Sequence, residues 1–388
     1  MTTAIEPGDA RALTRALVRV DSRNPTLTAG APGEKPCAEL LRGVLEAWGF
    51  RAELQEAAPG RPNLVARIGG GAAGASSRSL MFNGHLDVVG VEGMIHPPFA
   101  AEEREGRLYG RGSADMKGGV AAMCAAALRA TRAGALGEII VAAVADEEYE
   151  SLGTRALLAH GVRADACVVT EPTRLAIMPA HRGFVWLEVA IAGRAAHGSR
   201  WDIGVDAIRH AGLLLAELDA YDAEVLPTRT HPLLGRGSLH ASLIDGGIGM
   251  STYPDRCVLK LERRTIPGES AADALDEVRR ACDRIHARRA TFVAEVRLLV
   301  AQGPSDVAVD APLVRGLDAA LRASGEKVSV EGMSAWTDAA LLNDAGVPAV
   351  CFGPGDISLA HAAEEYIPLD EIDRATSVLT SFAERWCA

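Results

Sequence analysis

The chain has 388 residues, 48% of them hydrophobic, with a formal net charge of -11 and a pI near 5.5. That length exceeds one ordinary domain and suits two, with ample core material. The acidic balance argues against nucleic acid or an anionic membrane surface as the main partner, but not against a small anion gripped by local arginines.

The opening residues Met1 to Gly8 lack a basic stretch followed by an apolar one, so no secretory signal is read there. No run of 18 apolar residues suggests a membrane span. The seven cysteines, Cys37, Cys124, Cys167, Cys257, Cys282, Cys351 and Cys387, stand singly, and none forms a C-x-x-C pair. Buried, reduced thiols in a cytoplasmic protein are expected, rather than disulfides or a thiolate zinc site.

In chain order, helices are predicted over Asp9 to Arg19 and Ala38 to Gly49, then strands over Leu64 to Ile68 and Leu80 to Phe82. Between those strands, Gly69 to Gly74 formally matches G-x-G-x-x-G. A strand rather than a helix follows it, so it reads as a flexible hairpin connection and not a dinucleotide loop. Next come an Ala-rich helix Gly118 to Arg132, a strand Glu138 to Val144, a helix Thr154 to His160 and a strand Cys167 to Val169. The middle segment differs. It reads as strand Phe184 to Ile191, helix Ala207 to Leu218, strands Ser238 to Ile244 and Cys257 to Arg263, helix Ala271 to Arg288 and strand Thr291 to Val300. That β-α-β-β-α-β order is ferredoxin-like. Residues 180–298 are therefore expected to form a domain inserted into an α/β domain made of 1–179 and 299–388. The latter closes with helix Ala339 to Asn343, strand Ala349 to Phe352 and helix Leu369 to Trp386.

Polar residues gather after the α/β strands. His85 and Asp87 follow Leu80 to Phe82, Asp146-Glu147-Glu148 follows Glu138 to Val144, Glu171 follows Cys167 to Val169, and His361 lies beyond Ala349 to Phe352. In open α/β sheets, ligands bind outside the carboxyl ends of strands, so residues far apart in sequence converge there. Each has an ordinary reading alone: a loop histidine, a turn aspartate, a solvated strand exit or, for Asp115, a helix cap. Taken together, His85, Asp115, Glu148, Glu171 and His361 read as a two-metal hydrolytic site. Imidazole and carboxylate without thiolate suit two Zn²⁺, with Co²⁺ or Mn²⁺ as substitutes. Adjacent carboxylates on an extended chain point in different directions, so Glu148 can bind metal while Glu147 acts as a base. Asp87 is placed to hold the second ring nitrogen of His85.

Several motifs carry a resemblance. Gly84-His85-Leu86-Asp87, Tyr109 to Gly119, Asp146-Glu147-Glu148, Thr170-Glu171-Pro172, Gly193 to His197, Arg264 to Gly268, Thr337-Asp338, Phe352 to Gly355 and Ala360-His361 resemble, in order and spacing, a dizinc acylase and exopeptidase family. That family includes acetylornithine deacetylase, succinyl-diaminopimelate desuccinylase, aminoacylase and carboxypeptidase G, and the likeness covers nearly the whole chain. The resemblance implies a zinc-exopeptidase-like catalytic domain with a mixed sheet flanked by helices, and an inserted lid that forms a homodimer. It implies that Asp115 bridges two ions, with His85 and Glu171 completing one site and Glu148 and His361 the other. Asp87 would orient His85, and Glu147 would be the general base toward a water shared by the ions.

The same resemblance gives His197 a role at the substrate oxyanion, Arg264 a grip on a substrate carboxylate, and Ser251 and Gly353 places along the substrate pocket. Two departures bear on specificity. Met94 stands where family members often carry tryptophan, and Ser251 stands where many carry asparagine. Hydrolysis of small N-acylated amino acids is expected, with release of an amino acid from a dipeptide or peptide C-terminus as the alternative. A non-catalytic metal-binding protein on the same scaffold is the least favoured reading.

Overall fold

The computed structural model describes residues 5–71 and 77–388. The chain divides into two compact units, one of Met1–Pro179, Val307–Glu331 and Thr337–Ala388, the other of Ala180–Asp306 with Gly332–Trp336. The second unit thus runs past the expected boundary at 298, because its last long strand continues to Gln302.

The first unit is built on a mixed sheet. Its strands lie in the order Arg51–Ala58, Arg61–Gly69, Glu138–Val144, Leu80–His85, Cys167–Val169, Ala349–Cys351 and Ile177–His181. Leu80–His85 runs parallel to both of its neighbours, and Ala349–Cys351 runs parallel to Cys167–Val169. Arg61–Gly69 and Leu80–His85 are not adjacent, since Glu138–Val144 lies between them. The two strands therefore do not pair as a hairpin, and the glycine-rich link expected to join them lies partly outside the described residues.

Apart from Glu138 at the start of its strand, the central strands Glu138–Val144 and Leu80–His85 are buried, which is why they read as apolar runs. Helix Gly118–Arg132 starts and stops where its composition placed it. It packs with the C-terminal helix Leu369–Trp386 over a core that includes Phe82, Met123 and Phe382. Helix Ala10–Val18 begins at an N-cap, where Asp9 accepts the Ala12 N–H. Helix Lys35–Ala47 starts earlier than predicted, because Pro36 is tolerated in a first turn.

The second unit has the β-α-β-β-α-β order Gly183–Ala192, Ala207–Glu224, Ser238–Gly246, Arg256–Thr265, Ala271–Arg288 and Val293–Gln302. Its antiparallel sheet is ordered with Ser238–Gly246 at one edge, then Arg256–Thr265, Gly183–Ala192 and Val293–Gln302. Val185, Leu187, Val189 and Ile191 alternate onto the face that packs on the two helices. A capping box at Ser270 and Asp273 fixes the start of the second helix.

A candidate metal centre

The five expected ligands meet in the first unit as two triads that share one residue. Ligand atoms of His85, Asp115 and Glu171 lie within 4.8 Å of one another, as do those of Asp115, Glu148 and His361. His85 ends its strand, and Glu171 follows the parallel neighbour Cys167–Val169, so strand pairing brings the two side by side. Asp115 sits in a tight turn, Ser113–Lys117, just ahead of helix Gly118–Arg132. It does not cap that helix, whose N-cap is Lys117.

Asp115 divides its oxygens. Oδ1 is 3.0 Å from His85 Nε2, whereas Oδ2 is 3.7 Å from His361 Nε2, which is itself 2.9 Å from Glu148 Oε2. His85 Nδ1 lies 2.8 Å from the Asp87 carbonyl oxygen, so that nitrogen carries the proton it donates there. The lone pair of Nε2 then faces a carboxylate oxygen, a contact that requires a cation: a proton on the ring or a metal ion. The donor set of two imidazoles and three carboxylates fits two divalent ions, Zn²⁺ among them.

The electrostatics agree with that fit. Burial pushes Glu171 well above the ordinary carboxylate range, and the nearby charge of Asp115 adds to it. Burial does the same to Glu147, with the charges of Glu171 and Asp338 also raising it and His85 opposing. The hydrogen bond to Glu148 lifts His361 to about 9. Buried carboxylates at this density need positive charge, as metal ions supply.

The Asp146-Glu147-Glu148 segment is not an extended strand exit. The strand ends at Val144, and Asp146 has φ +64°, in the left-handed region. What orients the two glutamates is a clamp. The Asp87 carboxylate accepts the backbone N–H of Glu147 at 3.1 Å and that of Glu148 at 3.2 Å. Its nearer oxygen is 3.7 Å from His85 Nδ1, so the main-chain carbonyl of Asp87, rather than the carboxylate, holds the ring. Burial pushes Asp87 up to about 7.

Comparison with known proteins agrees with this geometry. Residues 81–385 match the model of peptidase family M20/M25/M40. The chain belongs to that family. It is a metal-dependent amide hydrolase. It is similar to an acetylornithine deacetylase of Myxococcus xanthus, at 32% identity over 91% of this chain and 92% of that one. It is also similar to an N-formyl-4-amino-5-aminomethyl-2-methylpyrimidine deformylase of Bacillus subtilis, at 28% identity over 90% and 88%. Among solved structures, a family M20 metallo-carboxypeptidase of Sulfolobus solfataricus superposes with a TM-score of 0.81, at 18% identity over 98% and 99%.

Within this M20 chain, Gly353 lies where two backbones nearly touch. A Cβ there would sit 2.5 Å from the Thr170 carbonyl oxygen and 2.6 Å from that of Glu171. Its own N–H donates to Thr173 Oγ1 at 3.0 Å, and its carbonyl accepts the Leu175 N–H at 3.1 Å. Gly353 therefore seats the turn that carries Glu171.

His197, Ser251 and Arg264 belong to the second unit. His197 is exposed, with Nδ1 2.9 Å from Ser199 Oγ, and the Ser251 carbonyl accepts the Gly198 N–H at 2.7 Å. Arg264 pairs with Glu262 at 2.9 Å and lies over the Phe184 ring.

A further buried carboxylate has no counterpart in the sequence reading. Glu365 accepts the Arg111 guanidinium at 2.8 Å and the N–H groups of Gly112, Ala114 and Asp115 at 3.0 to 3.2 Å. It thereby ties the segment bearing His361 to the turn bearing Asp115. No period or motif in the sequence marks it.

Proposed function

We infer that this M20 hydrolase cleaves the amide bond of small N-acylated amino acids, with acetyl and succinyl groups as first candidates. The observation that carries this reading is the pair of triads sharing Asp115, with Glu147 and Glu148 held beside them by one buried carboxylate. The relatives named for deacetylation and deformylation support removal of a small acyl group.

His85, Asp115 and Glu171 would hold one zinc ion, and Asp115, Glu148 and His361 the other. Such ions supply polarisation of the scissile carbonyl and a lower pKa for water. The rest is side-chain work. Glu147 takes a proton from the attacking water as the water oxygen adds to the carbonyl carbon. It returns that proton to the nitrogen as the C–N bond breaks, so a carboxylic acid and an amine form, and the acid's remaining proton passes to the amine as they part as carboxylate and ammonium. In this reading Arg264 grips the substrate's free carboxylate, a task suited to a planar guanidinium, and would exchange Glu262 for it. His197 hydrogen-bonds the developing oxyanion, and Ser251 contributes to the pocket.

The second unit is proposed to dimerise through its edge strand Ser238–Gly246, where Leu243 and Ile244 are exposed. Light scattering on the purified protein checks that. The seven cysteines, all free and buried, suit a reducing compartment, the cytoplasm.

The function is tested by assaying zinc-loaded protein on N-acetyl, N-succinyl and N-formyl amino acids beside dipeptides. Chelator-sensitive turnover of one acyl class is expected. Turnover of dipeptides alone would assign the chain to the exopeptidases, and no turnover of any N-acyl amino acid would overturn the proposal.

A further inference from the structure

Asp146 opens the carboxylate triplet, yet it is neither base nor ligand in the reading above. It is fully buried and holds a left-handed backbone that non-glycine residues keep only when their surroundings over-determine it. Those surroundings are specific. Asp146 Oδ1 accepts Arg61 Nη1 at 2.7 Å and Asn24 Nδ2 at 3.0 Å. Its Oδ2 accepts the Glu150 and Leu152 N–H groups at 3.3 and 3.4 Å, and its carbonyl accepts the Ser151 N–H at 2.6 Å. The turn from 146 to 152 is thus wrapped around this one side chain and its own backbone.

Arg61 anchors the wrap from outside the turn. It opens strand Arg61–Gly69, far from the triads in sequence, and its guanidinium also grips Glu34 through Nε at 3.1 Å and through Nη2. Glu34 in turn accepts the Asp146 N–H at 3.2 Å. Asn24 donates from the same nitrogen to Asp87 Oδ2 at 2.8 Å, and so joins this anchor to the clamp on Glu147 and Glu148. A planar fork can satisfy two buried carboxylates at once in a fixed orientation, which a lysine point charge does not.

We propose that Arg61, acting through Asp146 and with Asn24, is a positioning residue that sets Glu147 and Glu148 against the metal centre. It follows that Arg61 acts more strongly on the triad containing Glu148 than on the one formed by His85, Asp115 and Glu171: Glu148 lies two residues from Asp146 with its N–H on the Asp87 carboxylate, whereas His85 meets the network only through the Asp87 main-chain carbonyl. This rests on the two-metal reading given above.

The test is a zinc titration of the whole metal-free protein against a competing chelator, resolving first and second equivalents, with kcat and KM measured alongside. Arg61→Met should weaken the second equivalent by about tenfold or more, as removal of groups that orient ligands does, with the first within about threefold. The value of kcat should fall more than KM rises. Arg61→Lys should restore only part of the loss. Asp146→Asn keeps the shape but loses the charge, and should show the same split if Arg61→Met does not fold. Equal weakening of both equivalents, or no weakening in a folded variant, overturns the proposal. A parent protein that binds fewer than two zinc ions overturns the two-metal reading instead.

Discussion

The two triads share Asp115 but stand in different surroundings. The first is enclosed: the His85 side chain is 1% exposed, and Glu171 is buried. In the second, the His361 side chain is 54% exposed, while its partner Glu148 is mostly covered. His361 also holds a left-handed backbone, φ +62°, in the segment just after Ile357–Leu359. His85, by contrast, ends a strand paired on both sides. The first site is thus built into the sheet and the second is completed by a loop. If two ions bind as proposed, the contrast predicts that the enclosed site holds its ion more tightly than the one completed by a loop.

The largest expected effect tests what lies between the two. Glu147 ligates in neither triad, so Glu147→Gln should lower turnover by about 10²–10⁴-fold while both zinc ions remain, as measured by kinetics and metal analysis. Loss of either ion in that variant would show that Glu147 belongs to the metal framework. The backbone N–H of residue 147 still reaches Asp87 in the variant, so the clamp on Glu148 persists.

Removing each histidine sharpens the contrast directly. In the metal-free protein, His85→Ala strands buried Asp115 without its 3.0 Å partner, at a cost of about 3 kcal/mol in denaturant unfolding. His361→Ala removes a half-exposed imidazole but leaves the mostly covered Glu148 without its 2.9 Å partner, and should cost about 1–2 kcal/mol. Staged chelation of the parent protein should show the same order, the ion at His361 and Glu148 leaving first. Simultaneous loss of both ions would erase the distinction drawn here.

The rigid half of this contrast was also the half most legible in the sequence. Strands Glu138–Val144 and Cys167–Val169 and helix Gly118–Arg132 lie where apolar runs and composition placed them, because nothing competes with burial there. Candidate ligands at the ends of those strands could therefore be read in advance. Strand Arg51–Ala58 could not, since Arg-Ala-Glu-Leu-Gln-Glu-Ala-Ala lacks β-branched residues and takes its place by pairing with Arg61–Gly69. Nor could Arg61, Asn24, Glu34 or Glu365. Buried polar contacts across long sequence separations have no period, and Arg61-Pro62-Asn63 looks like turn chemistry. The alternation argument for Glu147 and Glu148 does not describe this segment. A left-handed Asp146 and the clamp from Asp87 set their directions, not a pleated strand.

A more local effect concerns the floor of the enclosed site. Gly353→Ala would place a methyl group against the carbonyls of Thr170 and Glu171, well inside contact distance. Both are backbone atoms, so the Glu171 turn must shift rather than a flexible side chain moving aside. Affinity of the first zinc equivalent should fall by about tenfold, as for loss of groups that orient a ligand. Glu148 and His361 do not touch that turn, so the second equivalent should hold. Zinc titration then reads the reverse of the Arg61 pattern: one variant loosens the enclosed site, the other the open one. If Gly353→Ala instead weakened both equivalents alike, the shared Asp115 would couple the triads more tightly than their separate surroundings divide them.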